Sequence, residues 1–196
     1  MIYKGVNTTI RDIFIIVLCV LITITIFPQT NIVLGGDEEN PEIEDNIGDC
    51  PIKTIDIVSA WFFEDSKDPN FLYLAIKVRD LQYKWIITNY VMYWYFNSTL
   101  YFSLLSTWGQ GSNSICSIVE NGVLLQQIAG SCDLEIDVIA MKIPKNVIGD
   151  PSPGDLLMRP YAFSRFTMFG GILGPASPLA DYAPNNRQGK NYVIQY

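Results

Sequence analysis

The sequence lacks histidine altogether, and only 17% of its 196 residues are charged. Without histidine the chain has neither the commonest general base near neutral pH nor the commonest metal ligand. Thirteen Lys and Arg stand against 20 Asp and Glu, a net charge of −7, which excludes the usual kind of nucleic-acid binder because phosphate neutralisation needs the opposite balance. Apolar residues make up 49% of the chain, which excludes a disordered protein.

The sequence also lacks the residue combinations of common enzymes. Neither a Ser–His nor a Cys–His pair is available, no Ser-x-x-Lys occurs, and no glycine-rich phosphate loop follows a predicted strand. We therefore predict a non-enzymatic protein with no catalytic residues. A hydrolase that uses two carboxylates is the enzymatic alternative.

The longest uncharged apolar run is short, covering the fifteen residues 13–27. Lys4 and Arg11 precede it, and a polar segment follows it from Pro28. A positive region, a short apolar run and a polar segment are the three parts of a secretory signal. A helix of this length spans about 22 Å, less than the ~30 Å core of a bilayer. We predict a signal peptide over residues 1–35, cut after Gly35, with an uncleaved membrane anchor as the alternative. Both place the remainder outside the cell, secreted or at the surface.

Acidic residues are concentrated just after this signal. Seven of them lie between residues 37 and 49, with no basic residue among them. Residues 36–53 are therefore predicted to be a solvated acidic spacer ahead of one folded domain, residues 54–196. A Ca²⁺-binding loop is the alternative, although the EF-hand pattern is absent.

The body of the chain shows period-two patterns and no long helical stripe. Apolar residues alternate through 71–79 and 133–141, and Asn121-Gly122 separates two apolar runs as in a type I′ hairpin. Other strands are predicted at 54–63, 84–96, 99–107, 114–119, 123–129, 155–166 and 190–196, with one helical turn at 144–149. About nine strands at this spacing predict an all-β fold, an antiparallel β-sandwich of jelly-roll type.

The stretch Ile57–Val78, IVSAWFFEDSKDPNFLYLAIKV, resembles the opening hairpin of DOMON-like and family-9 carbohydrate-binding-like domains. Ile143-Pro144 with Gly154-Asp155 is similar to a later turn of those domains, and residues 180–192 are similar to their last turn and strand. The resemblance covers residues 54–196 and implies a secreted sandwich that binds sugars, haem or other proteins. Haem-binding members use Met with His or Lys as axial ligands, so the absence of histidine argues against haem.

Aromatic residues are dense in 90–96, where five of the seven are Tyr, Trp or Phe. On a strand the aromatic residues of this region divide between two faces, Trp85, Tyr93 and Tyr95 on one and Tyr90, Trp94 and Phe96 on the other. One face must be core. The other is a platform for sugar rings, a contact with a neighbouring subunit, or further core beneath the loop 164–186. Trp85, Tyr93 and Tyr95 are the candidate ligand-binding residues.

Three cysteines remain after the predicted cleavage: Cys50, Cys116 and Cys132. Their spacings match no zinc pattern, and export to an oxidising compartment favours a disulfide. Cys116 and Cys132 flank the Asn-Gly hairpin and are the predicted pair, which leaves Cys50 as a free thiol. Pairing of Cys50 with either of the other two stays open.

The remaining candidates are surface features. Asn97-Ser98-Thr99 is a glycosylation sequon at a predicted turn, which makes Asn97 a candidate glycosylation site. The three acids of 133–137 are predicted on one outer strand face, paired with Lys77 and Arg79; a Ca²⁺ site or a glycosidase acid pair is the alternative. Carboxylates in the turns 64–68 and 181–186 make Ca²⁺ the one candidate cofactor.

These patterns predict an exported binding module whose partner is a carbohydrate or another cell-surface component, including a surface protein. The alternative is a structural subunit of a surface layer or filament, which would self-associate. No nucleic-acid partner is predicted, and the membrane is reached only through residues 13–27. A monomer in solution favours the first hypothesis, whereas concentration-dependent multimers favour the second.

Overall fold

The computed structural model describes residues 36–82, 87–108, 113–167, 180–185 and 188–196. The signal or anchor predicted over residues 1–35 lies outside them. The described residues form two 3₁₀ turns, Lys53–Ile55 and Lys145–Ile148, and eleven strands: β1 (Ile43–Glu44), β2 (Ile57–Phe63), β3 (Phe71–Val78), β4 (Ile87–Phe96), β5 (Thr99–Trp108), β6 (Asn113–Glu120), β7 (Val123–Asp133), β8 (Val138–Pro144), β9 (Leu156–Thr167), β10 (Ala180–Ala183) and β11 (Tyr192–Val193). None of the helical segments in this described part is long and apolar enough to span a bilayer.

All strands pair antiparallel in one continuous sheet, in the order β1-β2-β3-β8-β7-β6-β5-β4-β9-β10, with β11 on β9. The two ends of this order meet. The Ile57 backbone N–H donates to the Asp181 carboxylate at 2.6 Å, and the Ser164 hydroxyl donates to the Ile55 carbonyl. The sheet is therefore curled until it is nearly closed. The predicted all-β, antiparallel fold class is confirmed.

Local sequence signals account for a strand, a hairpin turn and a 3₁₀ turn. One face of β3 is buried in the main core, and it consists of Leu72, Leu74, Ile76 and Val78. This follows because successive side chains of a strand point to opposite faces. Between β6 and β7, Asn121 and Gly122 have φ of +46° and +84°, the left-handed pair that a two-residue hairpin turn requires. The helical turn predicted after Pro144 is the 3₁₀ turn Lys145–Ile148.

Residues 134–137 form a turn between β7 and β8, so the strand predicted over 133–141 is wrong for these four residues, while residues 138–141 belong to β8. The Asp133 carboxylate accepts the Glu135 backbone N–H at 2.9 Å, and the Asp137 carboxylate accepts the Leu81 N–H at 2.8 Å. Short acidic side chains that bond to nearby backbone compete with the strand ladder, and here they end it. Leu134, which the alternation placed in the core, is exposed.

Glu135 and Asp137 consequently lie in the turn and Asp133 at the end of β7. The predicted pairing of these acids with Lys77 and Arg79 is wrong. Lys77 forms its ion pair with Glu38. Arg79 forms its ion pair with Asp56, with Nε and a carboxylate oxygen 2.8 Å apart. Both partners are acids from the N-terminal side of β2.

Residues 36–53, expected to be a solvated spacer, instead pack against the sheet. Ile43 is fully buried and pairs with Ala60 as part of β1. The buried Glu42 carboxylate accepts the Phe62 backbone N–H at 2.8 Å. Cys50 packs in a small cluster with residues of β9 and the first 3₁₀ turn. The acidic residues of the segment therefore border the folded domain as part of it.

The core fills the interior of the curled sheet and fixes which side of β4 faces outward. Trp94 is fully buried, edge-on to Phe62 with ring centroids 5.5 Å apart and stacked on Tyr101 at 6.2 Å. These contacts join β2, β4 and β5 through one side chain. The residues on either side of Trp94 must then point away from the core.

Candidate functional site

Strand β4 carries its aromatic residues on both faces. Tyr90, Trp94 and Phe96 are buried in the core, while Tyr93 is half-buried and Tyr95 is exposed on the outer face. Trp85, the third residue of the predicted platform, lies outside the described residues. The outer face of β4 is thus the place where two of the three candidate ligand-binding residues come together.

An open groove of about 760 Å³ lies over this outer face, which we call the aromatic groove. Its walls come from β4, β5, β9 and the segment that follows β10, and they are formed by Tyr93, Tyr95, Leu100, Arg159, Tyr161, Pro184, Asn185 and Gln188. The volume is in the range of ~300–1,000 Å³ that is common for small-molecule sites. The mixture of aromatic rings with a few polar groups is typical of such sites.

A second set of aromatic rings supports the rings of the groove. Tyr93 pairs with Tyr161 across β4 and β9, and it also packs against Phe102 at 4.8 Å and Phe163 at 5.8 Å. Tyr161 stacks on Tyr182 at 6.3 Å. Burial raises the pKa of Tyr161 to about 12 and also raises the pKa of Tyr93. Both hydroxyls are therefore neutral hydrogen-bonding groups at physiological pH.

A β-bulge places a cationic side chain at the same groove. Tyr93 pairs with Tyr161, but Tyr95 pairs with Met158, so β9 has one extra residue between them. Arg159 at this bulge has φ of +55°, in the left-handed region. The other described non-glycine residues with positive φ are all Asn, Asp or Ser. A long side chain there is uncommon, which marks Arg159 as a position held by its surroundings.

Both the backbone and the side chain of Arg159 have defined environments. Its backbone N–H donates to the Asn191 side-chain oxygen at 3.1 Å, which holds the bulge. Its side chain is exposed and lines the groove. The ion pairs among the described residues all use other bases, so the guanidinium has no ion-pair partner within them.

Three carboxylates lie behind the Asn185 side of the groove. Oxygens of Asp45, Asp49 and Asp181 are within 4.8 Å of one another. The Asn185 amide donates to Asp45 at 3.1 Å and also to Asp49. Asp181 accepts the backbone N–H of Ile57, and burial raises its pKa to about 6. The Asn185 amide thus bonds to two of the three carboxylates, which hold Asn185 at the groove.

The acidic turn 64–68, the other location considered for Ca²⁺, has lysine partners. Glu64 forms a buried ion pair with Lys145 and accepts the Tyr192 hydroxyl at 3.0 Å. Asp68 forms an ion pair with Lys142 at 2.6 Å. These ammonium groups neutralise the carboxylates that a cation would need.

The three described cysteines are free thiols, so the predicted Cys116–Cys132 disulfide is not formed in the structure. Cys116 is opposite Ile128 on β7, and its side chain packs over Gly130, whereas Cys132 pairs with Ile139 of β8. Both cysteines contribute to the main core without a bond between them. Burial raises the pKa of Cys116 to about 12 and of Cys132 to about 11, which disfavours the reactive thiolate.

Asn97, the candidate glycosylation site, is exposed in the two-residue turn between β4 and β5. It has φ of +48° and the following Ser98 has φ of +65°. A sugar attached there would project into solvent, clear of the core.

Comparison of the chain with protein-family models, with curated proteins and with solved structures finds no match. The resemblance to DOMON-like and carbohydrate-binding-like domains therefore stays a prediction. The aromatic groove is the structural feature that indicates a function.

Four polar or aromatic groove residues were missed by the sequence reasoning: Arg159, Tyr161, Asn185 and Gln188. The segment 155–166 does contain a usable signal, because Tyr161 and Phe163 alternate with small residues as on an outward face. No local sequence pattern indicates Arg159, because the bulge in β9 depends on how β9 pairs with β4. Asn185 and Gln188 lie in a connecting segment that carries no periodic pattern.

Proposed function

We propose that this chain is an exported, non-enzymatic β-sandwich module that binds carbohydrate in the aromatic groove. The observation that carries the proposal is the exposed ring of Tyr95 beside Tyr93 and Tyr161 at one concave site. Aromatic rings offer large apolar contact area with a fixed geometry, which suits the C–H faces of sugar rings. Export is expected from residues 13–27.

The polar residues of the groove complement these rings. Gln188, Asn185 and the Arg159 guanidinium offer hydrogen-bonding groups to sugar hydroxyls. The tyrosine hydroxyls, neutral at physiological pH, both donate and accept. Few polar groups placed around apolar surface fix the orientation of a ligand in small-molecule sites.

The lining of the groove supports binding without cleavage. None of the described lining residues is a carboxylate. Hydrolysis of a glycosidic bond commonly needs a pair of carboxyl groups on either side of that bond. The three acids behind Asn185 do not line the groove, and two of them accept hydrogen bonds from the Asn185 amide.

A glycan array probed with the purified protein tests this function. We expect retention of a set of related oligosaccharides, lost in the Tyr95→Ala variant because the exposed ring provides contact area. Tyr196→Ala is the matched control, since Tyr196 is exposed to a similar degree outside the groove. Equal retention by wild type and Tyr95→Ala would reject the groove as the binding site, and no retention by wild type would reject the function.

A separate observation favours the second candidate function, a structural subunit that self-associates. The hairpin of β6 and β7 exposes apolar residues: Ile115, Val123, Leu124 and Leu125. Contiguous exposed apolar surface often marks a contact with another protein. The tip of this hairpin lies on strands that do not border the groove.

Size-exclusion chromatography over a range of concentrations separates the two functions. A concentration-independent monomer supports the binding module. Multimers that Leu124→Glu dissolves would support assembly through the hairpin. Ile47→Glu is the matched control, because Ile47 is equally exposed apolar surface away from that hairpin.

A further inference from the structure

The charge at the aromatic groove is asymmetric. Arg159 is the one charged residue among the described residues that line it. The carboxylates of Asp45 and Asp49 accept hydrogen bonds from the Asn185 amide and do not line the groove. A ligand in the groove therefore meets one cationic side chain and no carboxylate among the described lining residues.

The bulge that presents Arg159 is built into the strand. Leu157 and Pro160 are both buried although they are three residues apart, so strict alternation is broken between them, and the exposed Arg159 lines the groove beside Tyr161. A bulge re-aims one side chain at the cost of a ladder hydrogen bond. Here the Asn191 side chain accepts the freed Arg159 N–H at 3.1 Å. The left-handed φ and this hydrogen bond together hold Arg159 at the groove, where its guanidinium has no ion-pair partner among the described residues.

The geometry of the Arg159 guanidinium favours one class of ligand group. It presents N–H donors in a rigid planar fork, which matches the two oxygens of a carboxylate. Such charge-assisted pairs are stronger than hydrogen bonds between neutral groups. A neutral hydroxyl would use only part of this donor set.

Resting on the proposed function, we infer that the groove selects acidic oligosaccharides, in which a sugar ring carries a carboxylate that pairs with Arg159. The rings of Tyr95 and Tyr161 contact the apolar faces of the sugar, and the carboxylate lies at the guanidinium, away from Asp45 and Asp49. Neutral oligosaccharides lack this charge-assisted pair and bind more weakly.

Titration calorimetry with a matched pair of ligands tests the selectivity. The probes are an oligogalacturonate and its methyl ester, which have the same sugar rings with and without the charge. We expect the purified protein to bind the acid at least about tenfold more tightly than the ester. That preference should shrink with added salt, because screening weakens exposed charge pairs.

Two substitutions locate the selectivity. Arg159→Asn removes the cation but tolerates the left-handed φ, so it should bind the acid and the ester with equal affinity. Arg159→Lys keeps the charge without the fork and should show an intermediate preference. Thermal unfolding of each variant near that of wild type shows that the fold is intact.

Each other outcome decides a separate point. Equal binding of acid and ester by wild type, or an unchanged preference in Arg159→Asn, overturns the acidic selectivity while the carbohydrate-binding function stands. Tighter binding of a sulfated oligosaccharide than of the oligogalacturonate overturns the carboxylate as the recognised group. Failure of every oligosaccharide, neutral or charged, rejects the proposed function itself.

Discussion

The Asn191 side-chain oxygen accepts the backbone N–H of Arg159 at 3.1 Å, so the segment leading into β11 holds the bulge in β9. The following residue, Tyr192, pairs with Leu157 on the other side of the bulge. Asn191 therefore positions Arg159, a residue of the groove, although Asn191 does not line the groove.

Replacing Asn191 with Ala should lower the free energy of unfolding by about 1 kcal/mol, the usual net value of one hydrogen bond. Urea denaturation measures the change. Asn191→Asp keeps an oxygen acceptor and should lie closer to wild type. A wild-type midpoint for Asn191→Ala would show that the bulge does not depend on this hydrogen bond.

Trp94 and Tyr95 are sequence neighbours with opposite environments and should respond oppositely to truncation. Trp94→Ala leaves a cavity in the core beside Phe62 and should cost about 3–5 kcal/mol. Tyr95→Ala removes a ring that is 36% exposed and should change stability by no more than about 0.5 kcal/mol. Denaturant unfolding of both variants measures this difference. Equal losses would mean that the outer face of β4 is covered.

The packing of residues 36–53 can be tested with two isoleucines of the same segment. Ile43 is 0% exposed and Ile47 is 66% exposed. Ile43→Ala should cost about 2–5 kcal/mol by opening a cavity in the core. Ile47→Ala should change stability by less than about 0.5 kcal/mol. If both substitutions are neutral in denaturant unfolding, the segment is a solvated spacer after all.

Buried acids should make the protein more stable as the pH falls toward mildly acidic values. Burial raises the pKa of Glu42 from 4.5 to about 7 and that of Asp181 from 3.8 to about 6. A pKa raised in the folded state means that folding favours the protonated form. The stabilisation is then complete below the unfolded-state values and is lost as the pH rises through about 6 and 7.

Thermal unfolding between about pH 5 and pH 8 measures this dependence, and Tm should fall as the pH rises. Glu42→Gln cannot ionise and should flatten the profile, whereas Glu39→Gln, at an exposed position of the same segment, should leave it unchanged. A Tm that increases from pH 5 to pH 8 would contradict the assignment of Glu42 as a buried, destabilising charge.

Local patterns were sufficient for much of the fold. The β3 alternation and the Asn121-Gly122 turn each depend on residues close in sequence, so their strands could be predicted. The division of β4 into two faces follows from the same period of two. The turn at 134–137 was missed because Asp133 and Asp137 bond to backbone, which an apolar alternation does not reveal.

The candidate site depends on pairing that no local pattern contains. Tyr93 and Tyr161 face each other because β4 and β9 are neighbours in the sheet order, although five strand connections separate them in sequence. The position of Arg159 depends on Asn191, thirty-two residues later. Ile43 joins the core as an isolated apolar residue within an acidic run, where composition indicates only a solvated segment.

Amide shift mapping by NMR tests the central claim, that the aromatic groove is a carbohydrate site, most directly. The ¹⁵N-labelled protein would be titrated with an oligosaccharide that it retains on the array. The groove account predicts that the largest shifts occur at Tyr95, Arg159 and Tyr161. Shifts concentrated instead in the hairpin residues 123–125, with those three amides unmoved, would contradict it.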